Sequence, residues 1–272
     1  MKNLFDIGGR TAVITGACGV LGSAAARYFA QQGCRVAVLG RQHSADKGAA
    51  LVAEIEAAGG QAMFAACDVL QTQAVEEAER AVMERFGRID ILINAAGGNL
   101  PGATIPPDKT LFDIDIDALR KVSDLNIFGT VIPITVFARD MARRGKGSII
   151  NFCSVAGLRP LTRVAGYGAA KAAIANWTKY LGTEMALKFG EGLRVNAIAP
   201  GFLLAEQNRS LLMNPDGSLT DRSRSILAHT PFGRFLQPDE LFGTLHWLAS
   251  DASAAVTGTV VSVDGGFGAF SI

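Results

Sequence analysis

Seven short apolar runs alternate with longer stretches of helical periodicity along the whole 272-residue chain, and this alternation constrains the fold more than any other feature. The runs are TAVIT (11–15), RVAVLG (35–40), QAMFAACDV (61–69), DILINAAG (90–97), GSIINFCS (147–154), LRVNAIAPG (193–201) and GTVVSVDGG (258–266). Most are apolar nearly throughout, as expected of strands covered on both faces. Helices are expected near 21–32, 45–58, 72–86, 115–143, 166–190 and 238–250, with Gly33, Gly59, Gly87 and Gly190 just past four of them as stop signals. Such a chain builds one parallel sheet with helices on both faces. No linker or repeat divides residues 1–272, so a single domain is expected. Two irregular stretches, 97–110 and 202–237, follow strands and fall at the carboxyl edge of the sheet, where α/β folds bind ligands.

Charge and cysteine usage exclude several functions. With 26 Lys+Arg against 25 Asp+Glu, the net charge is +1, which gives no footprint for nucleic acid or a membrane surface. Cys18, Cys34, Cys67 and Cys153 show no metal-ligand spacing and read as reduced, buried thiols, so no metal is expected. The start lacks the apolar core of a signal peptide, and no stretch approaches the ~20 apolar residues of a membrane span. A soluble, cytoplasmic protein is expected.

The first strand–helix junction, TAVITGACGVLGSAAARYF, reads as a dinucleotide cradle. Gly16 lets the chain leave the strand sharply, the turn exposes N–H groups where the helix dipole favours a phosphate, and Gly22 lets the helix pack close. The second strand ends in Gly40-Arg41 with no carboxylate for a ribose 2′-hydroxyl; Arg41 either pairs with the 2′-phosphate of NADP or is a solvated loop residue. Asp68 either accepts from an adenine amino group or caps the helix beginning near Thr72.

The stretch YGAAK is either the centre of the chemistry or a surface Tyr/Lys pair of a kind common in helices. Tyr167 and Lys171, four apart, share a helix face. A nearby ammonium favours the phenolate and lowers a pKa that is ordinarily ~10. The small residues at 168–170 leave room for a cofactor ring against the same helix. Thirteen residues earlier, the Ser154 hydroxyl could bond a substrate carbonyl and stabilise charge developing on it. Asn126, polar within an apolar helical run, is either a satisfied core amide or a link in a proton relay.

Together TGACGVLG, NAAG, Asn126, Ser154, YGAAK and APG resemble the short-chain dehydrogenase/reductase family from about Phe5 to Gly266. The resemblance implies a doubly wound, Rossmann-type parallel sheet of seven strands and an oxidoreductase acting on a CH–OH group. It also implies an Asn126–Ser154–Tyr167–Lys171 tetrad. Tyr167 would be the general acid or base, and Ser154 would position the substrate oxygen. Lys171 would hold the nicotinamide ribose and lower the tyrosine pKa, and Asn126 would hold a relay water. The cofactor, NADP(H) in preference to NAD(H), would lie against Gly16, Cys18, Gly19, Val20, Leu21, Gly22, Arg41, Asp68, Val69, Asn94, Ala95, Ala96, Gly97, Tyr167, Lys171, Pro200 and Gly201. Three departures touch cofactor geometry. Val20 stands for the middle glycine of TGxxxGxG, Ala95 for an asparagine of NNAG, and Ala205 for a threonine common beyond Pro-Gly.

The 202–237 segment is long enough for a substrate lid and carries Gln207, Asn208, Arg209, Arg222, Arg224, His229 and Arg234. A polar, cationic lid suits a hydroxyl-rich anion, although each of these could be a solvated helix residue. His229 reads as a hydrogen-bonded loop histidine, and Arg159 and Arg163 are further carboxylate candidates. The combination AGGNLPGAT, QNRSLL, HTPFGRF and VDGGFGAFS resembles the family's sugar-acid branch, described as D-mannonate oxidoreductases or fructuronate reductases. That resemblance implies exchange between D-fructuronate and D-mannonate, with Asn99, Ser154, Arg159, Gln207, Asn208, Arg209 and His229 around the substrate. Other readings are a reductase of gluconate-type polyols, of 3-oxoacyl thioesters or of dienoyl thioesters, or a cofactor-sensing module without turnover. Family resemblance further implies a homotetramer built on the helices near 115–143 and 166–190 and on the last strand.

Overall fold

A computed structural model describes residues 3–204 and 209–271. Seven strands form one sheet: β1 (Thr11–Thr15), β2 (Arg35–Gly40), β3 (Gln61–Ala66), β4 (Ile91–Asn94), β5 (Gly147–Phe152), β6 (Leu193–Pro200) and β7 (Val260–Val263). Their order is β3-β2-β1-β4-β5-β6-β7 with every pairing parallel, the doubly wound arrangement. Winding reverses between β1 and β4, so the loops that follow these two strands part and leave a crevice at their carboxyl ends.

The strands are apolar on both faces because both faces are covered. Ala12, Ile14, Val36, Val38, Ile91 and Ile93 point toward α1 (Val20–Gln31) and α2 (Ala45–Ala57), where Phe29, Leu51 and Ile55 are buried. Their neighbours Val13, Ala37, Leu39, Leu92 and Ile149 point the other way. There they meet Val75, Val82 and Phe86 of α3 (Thr72–Phe86) and Phe137 and Met141 of α4 (Ile116–Arg144). The four-residue helix α5 (Val155–Leu158) leads into α6 (Ala165–Phe189), which lies beside α4. The 202–237 segment contributes α7 (Arg209–Leu212) and α8 (Asp221–Ala228), and α9 (Phe242–Ala249) closes the first face.

Several strands are shorter than their apolar runs. β4 stops at Asn94 although DILINAAG continues, because Ala95 and Ala96 turn away to pack against the backbone of Gly16. β3 likewise ends at Ala66, and the Cys67–Val69 run leaves the sheet as a turn. Against the expectation that no stretch approaches a membrane span, α4 is long and apolar enough by length and composition. Half of its most apolar window is nevertheless buried in the protein, and that helix also buries Asn126, Thr130 and Asp140. Among the cysteines, Cys34, Cys67 and Cys153 are buried and free, whereas Cys18 is half-buried.

Candidate active site

The crevice begins at Gly16, where φ is +63° and a Cβ would stand 2.8 Å from both the nitrogen and the Cα of Ala96. Only glycine meets both demands, the left-handed backbone and the close approach of the β4 turn. Thr15 Oγ1 accepts from the Ala96 N–H at 3.2 Å and ties the two turns together. Gly22 is equally constrained, since its Cβ would lie 2.4 Å from the Gly16 carbonyl oxygen. α1 starts at Val20 with Gly19 as N-cap and no side chain capping it, which leaves its first N–H groups to a ligand anion or water. Cys18 fills the space above Gly40, where a Cβ would meet its Sγ at 2.5 Å, and Leu21 packs into the core. Arg41 stands exposed just past β2; its carbonyl accepts from the Ser44 N–H at 2.8 Å, and its guanidinium has no ion pair or hydrogen bond to the described residues.

On the β4 side the side chains divide between scaffold and crevice. Asn94 is buried; its Nδ2 donates to Asn151 Oδ1 at 2.9 Å, and its Oδ1 has no partner among the described residues. Asn94 therefore braces β4 against β5. Gly97 borders the catalytic candidates directly, since a Cβ there would meet Asn126 Oδ1 at 2.7 Å and Lys171 Nζ at 3.2 Å. Asn126 proves to be a satisfied amide: Nδ2 donates to the carbonyls of Gly98 and Val122 (2.7 and 2.8 Å), and Oδ1 accepts from the Gly98 N–H at 3.2 Å. Both amide hydrogens are spent, so the side chain shapes the 97–98 corner and keeps only a lone pair of Oδ1 for a further donor. Asp68 does not cap α3, whose N-cap is Gln71; its Oδ1 accepts from the Leu70 N–H and folds the turn after β3. Val69 is buried beneath Gly129. Gly201 ends β6 with its N–H on the Val263 carbonyl and leaves 2.7 Å between a Cβ position and Asp264 Cα.

Ser154 is the N-cap of α5, its hydroxyl accepting from the Ala156 N–H at 3.2 Å. α6 follows, and Tyr167 on its first turn rests its ring on Ala103, Ala118 and Val122. Burial pushes the Tyr167 phenol above its ordinary value, and hydrogen bonding from Ser154 pulls it partly back. One turn on, Lys171 is buried with its Nζ donating to the Phe152 carbonyl at 2.7 Å and lying 5.7 Å from the centre of the Tyr167 ring. Burial lowers the Lys171 ammonium to about 8. The lysine thus faces the ring and the carbonyl, and the lowering of the phenol expected from it is not what this geometry produces.

Smallness at 168 has a different cause from the one expected. A Cβ on Gly168 would stand 3.0 Å from the Ala156 carbonyl, and one on Gly157 would stand 2.6 Å from the Lys171 carbonyl carbon. The two glycines let α5 cross α6 backbone to backbone, which brings the serine at one helix start beside the tyrosine on the other.

A family model described as enoyl-(acyl carrier protein) reductase matches residues 16–268. An uncharacterized oxidoreductase, UxuB, of Bacillus subtilis (strain 168) is 45% identical over 98% of this chain and 97% of its own. The chain is a short-chain dehydrogenase/reductase. A crystal structure from Haemophilus influenza, of a candidate D-mannonate oxidoreductase with bound NAD, superposes with a TM-score of 0.89 at 39% identity, covering 98% of this chain and 97% of that one. A gluconate 5-dehydrogenase from Burkholderia cenocepacia J2315, in complex with NADP and tartrate, gives 0.87 at 32% identity over 98% of both chains. As a member of this family the protein is an NAD(P)-dependent oxidoreductase of alcohols and ketones.

In this short-chain dehydrogenase the polar residues expected around the substrate separate into committed and free groups. Arg159 is committed: its Nη1 donates to the Phe267 carbonyl at 2.9 Å and its guanidinium stacks 5.5 Å from the Phe267 ring, which fastens the C-terminal segment. Arg224 pairs with Asp221, and Arg234 with Glu240. His229 is an exposed residue whose Nδ1 contacts the Ser225 carbonyl, a hydrogen-bonded loop histidine. Arg209 opens α7, exposed, its side chain without a partner among the described residues. Asn99 donates to Thr104 Oγ1 at 3.0 Å, while its buried Oδ1 has no partner among the described residues. Gln207, Asn208 and Ala205 lie outside the described residues. The sequence reading missed the Phe152 carbonyl that anchors Lys171 and the Thr15 hydroxyl that ties the turns. The first is backbone and carries no residue-type signal; the second sits in an apolar run where a threonine reads as a strand former.

Proposed function

We propose that this enzyme transfers a hydride between a nicotinamide dinucleotide and a hydroxylated sugar acid, with D-fructuronate and D-mannonate as the ketone and alcohol. The observation that carries this reading is the joint placement of Ser154, Tyr167 and Lys171 on the α5–α6 crossing, beside the open corner at Gly97. The crevice residues fit a dinucleotide: Gly16 and Gly22 keep the first turn low, the α1 start is free of a side-chain cap, and Gly97 leaves space beside Lys171. When bound, the dinucleotide supplies or accepts the hydride.

The protein's own groups handle the oxygen and its proton. The Ser154 hydroxyl bonds the substrate carbonyl and fixes it against the Tyr167 phenol. Because burial raises that phenol, it is loaded with its proton at neutral pH, the form that reduction requires as the carbonyl oxygen gains charge. Lys171 spends one hydrogen on Phe152 and keeps two for ribose hydroxyls at the Gly97 corner. Asn126 holds that corner in shape. The unpaired Asn99 Oδ1 supports a substrate hydroxyl as its donor. The similar Haemophilus and Burkholderia proteins, a candidate D-mannonate oxidoreductase and a gluconate 5-dehydrogenase, support the sugar-acid class.

The unpaired Arg41 supports a preference for NADP(H), with residues 202–237 serving as the substrate lid. Exposed Phe128 on α4 and Trp177, Tyr180 and Leu187 on α6 support a homotetramer assembled through these helices. Initial rates against hexuronates and aldonates, with NAD⁺, NADH, NADP⁺ and NADPH in turn, test the function. Turnover of ketosteroids or acyl thioesters with none of any sugar acid would overturn it.

A further inference from the structure

Two arginines, Arg222 on α8 and Arg163 on the loop ahead of α6, have no acidic partner among the described residues, and α8 bonds directly to that loop. Arg222, on the first turn of α8, is half-buried and reaches over to the loop ahead of α6. There its Nη1 and Nη2 donate to the Thr162 hydroxyl and carbonyl at 3.2 and 3.1 Å. Next along that loop is Arg163, half-buried and four residues before Tyr167. It alone among the described non-glycine residues has a positive φ, +73°, a left-handed conformation that its Cβ disfavours. Its carbonyl accepts from the Ile105 N–H at 2.9 Å, which joins this loop to the one carrying Asn99.

The two guanidiniums feel each other. The Arg222 pKa is lowered, first by burial and second by the charge of Arg163. Like charges drawn together, partly desolvated and left without a carboxylate are unfavourable in the protein by itself. A bound anion offsets that repulsion, and planar guanidiniums match a carboxylate's two oxygens. Among the other arginines Arg224 and Arg234 are paired with carboxylates, Arg159 is drawn to the C-terminal segment, and the Arg209 side chain has no partner among the described residues.

We infer that Arg163 and Arg222 together form the receptor for the carboxylate of an anionic substrate, one supplied by the loop ahead of the Tyr167 helix and the other by the 202–237 segment. This rests on the sugar-acid reading and adds the residues that select the acid over a neutral polyol. It also makes the carboxylate a second bridge between the two elements, beside the Arg222–Thr162 bonds.

Calorimetry on the full chain with reduced dinucleotide, which cannot react with an alcohol, titrating D-mannonate and the uncharged polyol mannitol, tests the assignment in Arg163→Gly, Arg222→Gln and Arg222→Lys. Losing one charge-assisted carboxylate contact should weaken mannonate roughly tenfold in the first two variants and leave mannitol unchanged. Arg222→Lys should retain part of the affinity. Arg163→Gly separates binding from folding: glycine suits the left-handed backbone, so its melting temperature should hold or rise while mannonate affinity falls. Unaltered mannonate affinity in both variants, or equal loss of acid and polyol, overturns the arginine assignment and leaves the sugar-acid reading standing. Failure of the unsubstituted protein to bind any aldonate or hexuronate overturns both.

Discussion

Replacing Lys171 by methionine should make the stability curves of the two proteins cross with pH. Lys171 is buried, and its ammonium is lowered from 10.5 to about 8. A base depressed in the fold weakens stability wherever it must be charged. The penalty is absent above the unfolded value, grows as pH falls, and is complete below about 8. Its full size is about 3 kcal/mol at about 1.4 kcal/mol per pH unit. From pH 7 to about pH 9.5 the native protein should therefore gain about 2 kcal/mol from this residue alone. Lys171→Met removes that gain and leaves the buried Phe152 carbonyl without its donor, a loss of about 1–3 kcal/mol. Near neutral pH the two effects nearly cancel, and at alkaline pH the variant should be clearly the weaker. Urea unfolding of both proteins at the two pH values reads the difference directly, because all other titrating groups are shared. Parallel curves, with the gap constant to within about 0.5 kcal/mol, would refute the claim that folding buries this ammonium at a cost.

Three further outcomes are expected. Tyr167→Phe should lower turnover at least ~100-fold through loss of proton transfer, while dinucleotide binding, followed by nicotinamide fluorescence, stays within about twofold. Gly157→Ala should destabilise the fold by about 1–3 kcal/mol in denaturant titrations, because the added Cβ would stand 2.6 Å from the Lys171 carbonyl carbon. If the crossing tolerates the methyl with full activity, the close approach of α5 and α6 does not position the serine. Arg41→Glu should reduce kcat/KM for NADP⁺ roughly tenfold or more and spare NAD⁺, since a carboxylate repels the 2′-phosphate and bonds a 2′-hydroxyl.

Much of this architecture was legible in the order of residues because strands covered on both faces must be apolar throughout, and TAVIT, RVAVLG and LRVNAIAPG announce themselves. The i, i+4 spacing likewise fixed that Tyr167 and Lys171 share a face, since helical periodicity is local. Strand ends were less legible: DILINAAG reads as one run, yet its second half is a turn, because only the Gly16 backbone across the crevice decides where β4 stops. The small residues of YGAAK read as room for a ligand, whereas Gly168 answers to the carbonyl of Ala156 on another helix. Arginines show the limit most clearly. Residue type could not rank Arg159, Arg163, Arg209, Arg222, Arg224 and Arg234; tertiary packing alone gave Arg224 and Arg234 carboxylates, held Arg159 on the C-terminal segment, and tied Arg222 to Thr162 beside Arg163. Local periodicity and backbone sterics act over a few residues and can be read along the chain. The electrostatic fate of a long, flexible cation depends on which carbonyls and carboxylates folding brings within its reach.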